Sequence, residues 1–275
     1  MRKTPVLALV VVGLLVTAVA VGSANVARAV DPTWGPADTA AVHPGVQTVS
    51  ESGQCTSNFV FFDGVDIYIG QAAHCTGIGG NTQTNGCESG VLPLGTPVIV
   101  GGAAAPGTVV YNSWITMQDV NEGDVNACNG NDFALVRLDP VDHPKVNPSV
   151  PFWGGPSAAA PGTASGEDVY SYGNSSLRFG AQQLSPKTGV IVGQQFGGWN
   201  HIVYTASPGI PGDSGSAYMS SNGGALGVLS TIQVAPVAGS NGVSDLGRAL
   251  AYMKMHTNLD AVTLATGTET FSGLL

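Results

Sequence analysis

The chain has 275 residues, of which 10% are charged and 43% hydrophobic, and nine basic against 18 acidic side chains set a net charge of −9 at pH 7. This excludes an intrinsically disordered chain, which needs low hydrophobicity and dense charge, and the acidic sign argues against nucleic acid and anionic membranes as partners. Gly and Pro together number 56, too few for a low-complexity chain, and their even scatter suits many short strands joined by turns.

In chain order, the first feature is Met1-Arg2-Lys3, an apolar run from Pro5 to Gly22, and the small-x-small motif Ala27-Arg28-Ala29. This is the pattern of a secretory signal peptide over residues 1–29; a retained membrane anchor is the competing reading, and the cleavage motif favours removal. Cleavage after Ala29 would leave 246 residues with six basic and 18 acidic side chains, a charge of −12, and enough length for one two-lobed β domain. Residues 30–52 are rich in Ala, Pro and Thr without a clear period and read as a lead-in arm or short pro-segment before a single domain over 53–275.

From Phe59 onward, short β-branched or aromatic runs recur: Phe59–Phe62, Asp66–Ile69, Pro97–Val100, Thr108–Tyr111 and Phe133–Leu138, then Asp168–Tyr172, Gly189–Val192, His201–Thr205, Ala217–Met219 and Leu226–Leu229. Many strands at short spacing predict an all-β sandwich or barrel. One helix is predicted near the end, where Leu246, Ala249, Leu250 and Met253 share a face and Asp245 stands at the N-cap.

Four cysteines in an exported chain predict two disulfides, with three pairings open on the residues alone. They lack Cys-x-x-Cys spacing, and an oxidising compartment disfavours free thiolates, so no metal site is expected.

Three short motifs carry chemistry. Ala72-Ala73-His74-Cys75, Asn131-Asp132-Phe133-Ala134-Leu135 and Gly212-Asp213-Ser214-Gly215-Ser216 place His, Asp and Ser in that order, 58 and 82 residues apart. A serine hydroxyl is a poor nucleophile at neutral pH; it needs an imidazole to take its proton and a carboxylate to hold that imidazole in the right tautomer. Each motif alone is weak. In this order they resemble the trypsin/chymotrypsin family of serine proteases, and most closely its secreted bacterial members, over roughly residues 54–256.

The resemblance implies two packed six-stranded antiparallel barrels with a C-terminal helix, and assigns His74 as general base, Asp132 as its orienter and Ser214 as nucleophile. It implies an oxyanion hole from the Gly212 and Ser214 amides. It pairs Cys55 with Cys75, and so Cys87 with Cys128. It sets Pro208, six residues before the nucleophile, at the base of the primary pocket, Ser230 on the segment that pairs with substrate backbone, and Ile232 where it would narrow the pocket. A proline cannot pair with Lys or Arg, so a small or medium apolar side chain before the scissile bond is expected. Ser216 stands where the family usually has Gly. No Ile-Val-Gly-Gly start exists to ion-pair with Asp213, so another cation is needed, and Arg178 is the expected one.

The expected protein is a secreted, extracellular, monomeric serine endopeptidase acting on protein or peptide substrates. It would have no cofactor, no nucleic-acid partner and no stable membrane contact once the signal is removed. Activity should rise with pH around ~6 to 7 as His74 loses its proton. A catalytically silent binding or adhesin module on the same fold is the rival, separable by fluorophosphonate labelling.

Overall fold

The computed structural model describes residues 32–80, 83–160, 163–233 and 238–274; the signal-peptide reading falls outside them. Among the described residues no helix is long and apolar enough to cross a membrane.

Among the described residues, fourteen strands form two antiparallel sheets. The first contains β1 (Gln47–Ser50), β2 (Gly53–Thr56), β3 (Val60–Phe62), β4 (Ile67–Gln71), β5 (Pro97–Val100), β6 (Gly107–Asn112), β7 (Ala134–Arg137) and the two-residue β14 (Thr263–Leu264), in the spatial order β14-β3-β4-β7-β6-β5-β1-β2. The second is a closed barrel of β8 (Asp168–Tyr172), β9 (Pro186–Gln195), β10 (Asn200–Thr205), β11 (Ala217–Ser220), β12 (Ala225–Gln233) and β13 (Ser240–Asp245), in the order β10-β13-β12-β11-β8-β9. The two-lobed all-β architecture is thus present, but the first lobe is a curled open sheet of eight strands and only the second closes at six. At the edge of β2 the Thr56 N–H donates to the Ser214 carbonyl at 2.8 Å, so a turn of the second lobe is hydrogen-bonded to the end of this strand.

Period-2 burial explains the strands that alternate, such as β6, whose Thr108 and Val110 are half-buried between buried Gly107, Val109 and Tyr111. Val42, Val60, Ile67, Ile69, Val98, Val109 and Val136 build the core of the first sheet; Val169, Ile191, Val203, Tyr218 and Val243 build that of the barrel. A third cluster draws Phe59, Phe61 and Phe133 from the first lobe, Met219 and Val228 from the second, and Leu246 and Met253 from the final helix, joining the lobes with apolar contact.

Three α-helices lie among the described residues. α1 (Ser113–Asp119) is capped by Asn112 accepting from the Trp114 amide, α2 (Val125–Gly130) by Asp124 accepting from the Asn126 amide, and α3 (Leu246–His256) by Asp245 accepting from the Arg248 amide. The disulfides join Cys55 to Cys75 and Cys87 to Cys128. Residues 32–46 lie on the domain, with Val42 and Val46 buried, and the segment 30–52 contains strand β1 itself.

Candidate active site

A cleft of about 350 Å³ is lined by residues of both lobes, among them His74, Asp132, Ser214, Leu229, Ser230 and Ile232. His74 sits in a 3₁₀ turn (Ala73–Thr76) directly after β4. The Cys55–Cys75 disulfide anchors this turn, and the buried Asn112 side chain donates to the Ala73 carbonyl at 3.0 Å. Asp132 precedes β7; its backbone N–H donates to the Ser244 hydroxyl, which in turn donates to the Gly130 carbonyl. A strand of one lobe therefore fixes the backbone that carries the carboxylate of the other.

His74 and Asp132 meet twice. Nδ1 lies 2.7 Å from Asp132 Oδ2, and the His74 backbone N–H donates to Oδ1 at 2.9 Å. The Ser230 hydroxyl adds a third bond to Oδ2 at 2.6 Å. Burial alone would raise the Asp132 pKa, since the side chain is 6% exposed, but the facing imidazole and these donors outweigh it and hold the carboxyl below the usual range. Burial likewise opposes charge on His74, and the Asp132 carboxylate overcomes it, holding the imidazole above its ordinary value.

Ser214 lies in a tight turn, Gly212–Ser216, that is tied from all sides. The Gly215 amide donates to the Leu229 carbonyl at 2.7 Å, and the buried Asn58 side chain donates to the Gly215 carbonyl at 3.1 Å. The Ser216 hydroxyl donates to the Asp213 carbonyl, so this serine braces the same turn. Gly212 has φ +92°, a region that favours glycine. Among the described residues, neither the Gly212 nor the Ser214 amide donates to a protein atom, and no hydrogen bond joins the Ser214 hydroxyl to His74.

Asp213 is fully buried and surrounded by donors: the Ser175 amide on Oδ1, and on Oδ2 the Ile210 amide, Arg178 Nη2 at 2.6 Å and Lys187 Nζ at 3.2 Å. Arg178 also donates to the Pro208 carbonyl at 3.0 Å. Burial and the neighbouring guanidinium push the Lys187 ammonium below the usual lysine range, against the pull of Asp213.

No protein-family model and no curated protein matches the sequence. Solved structures do: Thermobifida fusca protease A (16% identity, 82% of this chain and 99% of that one, TM-score 0.52), a glutamic acid-specific serine protease (18%, 82% and 100%, 0.52) and Nocardiopsis protease (16%, 81% and 98%, 0.51).

The chain has the chymotrypsin-like fold.

At such identities the likeness is one of fold, and the chemistry must be read from the side chains. In this chymotrypsin-like frame, the structure brings His74, Asp132, Ser214, Ser230 and Ile232 to one cleft. Pro208 does not line it; its carbonyl receives Arg178 instead. Ser230, expected on the segment that pairs with substrate backbone, lines the cleft, and its hydroxyl donates to Asp132. Arg178 reaches Asp213 as expected, but Lys187 joins it without having been singled out. Strand alternation carries a signal for it, because Lys187 is in phase with the buried Ile191 along β9. Gln54, Thr56 and Asn58, which hold the serine turn, are ordinary polar residues in sequence and give no signal.

Proposed function

We propose that the chain is a secreted serine endopeptidase in which Ser214 is acylated and deacylated with His74 as the proton carrier. The pairing of His74 with the buried Asp132 carboxylate, on the cleft that holds Ser214, is the observation that carries this reading. Asp132, accepting from Nδ1–H, leaves Nε2 as the lone-pair nitrogen. Nε2 takes the Ser214 proton as the oxygen attacks the scissile carbonyl, and returns it to the departing amine when the tetrahedral intermediate collapses to an ester. Water then repeats the cycle in reverse order of leaving groups. The oxyanion of each intermediate would take the Gly212 and Ser214 amides, whose protons are uncommitted. Hydrogen bonds of this kind often tighten only when substrate binds, which accommodates a serine not yet bonded to the imidazole.

Two disulfides favour an oxidising compartment, in keeping with the amino-terminal export pattern. The cleft walls carry Ile210, Pro211, Leu229, Thr231 and Ile232, and no charged group besides the His74–Asp132 pair lines it among the described residues. An uncharged, small to medium apolar side chain before the scissile bond suits such walls; a peptide-library profile dominated by Arg, Lys or Glu would remove this specificity.

The reaction class is tested by fluorophosphonate labelling. Wild-type protein should label once, at Ser214, with loss of label in Ser214→Ala and strong slowing in His74→Ala. An unlabelled wild type would leave a binding module on the same fold.

A further inference from the structure

Two peptide planes meet at Gly212, and side chains from elsewhere in the chain hold the carbonyl of each. The Gly212 carbonyl accepts from the Gln54 side-chain amide at 2.8 Å and from the Thr56 hydroxyl at 2.7 Å. One peptide earlier, the Pro211 carbonyl accepts from the Ser175 hydroxyl. This second tether governs the Gly212 N–H. The Pro211 carbonyl and the Gly212 N–H belong to one planar trans peptide and point in opposite directions, so holding the first on the protein side turns the second away from it.

Ser175 is 3% exposed, and a hydroxyl has one proton to give. That proton goes to Pro211, while the oxygen accepts from the Leu177 amide at 3.2 Å, inside the turn that carries Arg178. The Ser175 backbone N–H donates to Asp213 Oδ1 at 3.0 Å. One residue thus grips the carbonyl before Gly212 and the carboxylate after it.

Gly212 offers little resistance of its own. Without a Cβ it populates both signs of φ, so the Pro211–Gly212 plane can turn over at low cost unless something holds it. A turned plane would aim the Pro211 carbonyl into the cleft beside the Ser214 amide, setting an acceptor where a developing oxyanion needs donors. The tether is close: a Cβ at Gly212 would come within 2.9 Å of Ser175 Oγ and 2.6 Å of Gln54 Oε1.

We propose that Ser175 is a positioning residue whose hydroxyl, by holding the Pro211 carbonyl away from the cleft, keeps the Gly212 N–H directed at the oxyanion site. This rests on the reading of Ser214 as a nucleophile. The test compares wild type, Ser175→Ala and Ser175→Thr for kcat and KM on a chromogenic peptide, with rates per fluorophosphonate-titratable site, and for the Ki of a peptide aldehyde. Ser175→Ala should lose about a hundredfold in kcat, the scale of one missing oxyanion donor, with KM changed less than about threefold and aldehyde affinity falling in step with kcat/KM. Ser175→Thr, which keeps the hydroxyl, should recover to within about tenfold of wild type. If the Ala variant does not fold, Ser175→Cys, close in size but a weak donor, carries the same expectation. Wild-type kcat and aldehyde affinity in the Ala or Cys variant would overturn the proposal, as would a loss that Thr does not restore. Wild-type protein that neither turns over nor labels defeats the reading of Ser214 and the proposal with it, whereas active wild type beside an equally active Ala variant defeats the proposal alone.

Discussion

Asp213 shares its Oδ2 between two cations, and this sharing has a measurable signature. Arg178 approaches at 2.6 Å with its side chain 9% exposed, and Lys187 at 3.2 Å with its side chain fully buried. One carboxylate against two cations leaves an excess positive charge inside the protein if both stay protonated. Arg178→Ala removes a short charge-assisted bond but leaves Lys187 to cover the carboxylate, which should cost about 2 to 3 kcal/mol of unfolding free energy. Lys187→Met removes a longer bond and also the uncompensated charge, so its cost should be about 1 kcal/mol or less. Removing both strands a buried carboxylate, an event typically worth about 3 to 5 kcal/mol, and the double variant should sit at the top of that range. The double should then exceed the sum of the singles by about 1 kcal/mol or more, because each cation partly replaces the other. Urea unfolding of the four proteins gives the cycle directly. Additivity within about 0.5 kcal/mol would refute the idea that the two cations stand in for one another. Turnover should follow the same order, since Asp213 lies between the two amides assigned to the oxyanion.

The His74 imidazole, held above its ordinary pKa of about 6.5 by Asp132, must be neutral to act as base. The value of kcat/KM should therefore rise with pH through a midpoint above ~6.5, the upper part of the range expected from sequence or beyond it; a midpoint near 5 would contradict the pairing. The same raised pKa means that protonated His74 stabilises the fold. That stabilisation is complete below the unfolded pKa and is lost as pH rises through the folded one, so unfolding free energy in this window should fall while activity climbs. Asp132→Asn should leave the fold intact but present the wrong imidazole tautomer, lowering kcat by about four orders of magnitude; a loss under tenfold would show that His74 takes its orientation elsewhere.

Ten of the strands were legible because their inward-facing residues are Val, Ile, Leu, Phe or Tyr, and α3 because its apolar residues recur at helical spacing behind Asp245. β1 and β2 were not, being built from Gln, Ser, Thr, Gly and Cys with a single Val. β13, Ser240–Asp245, hid for the same reason, although five of its six residues are buried: its polar groups are carried inside by distant partners, Asn241 by Gly209 and Ser244 by Gly130 and Asp132. α1 and α2 are two turns or less, too short to establish a period.

By itself, the order of residues determined the all-β character, and the resemblance of its three motifs implied two lobes and which His, Asp and Ser were candidates to meet. Folding alone decided that the first lobe stays open, that Lys187 joins Arg178 on Asp213, that Ser230 serves Asp132, and that Gln54, Thr56 and Ser175 hold the serine turn. The division has a physical cause. Apolar burial is written locally, one side chain at a time, in a period that short windows reveal. A buried polar group is stable only opposite its partner, and here those partners lie from 26 to 158 residues away along the chain.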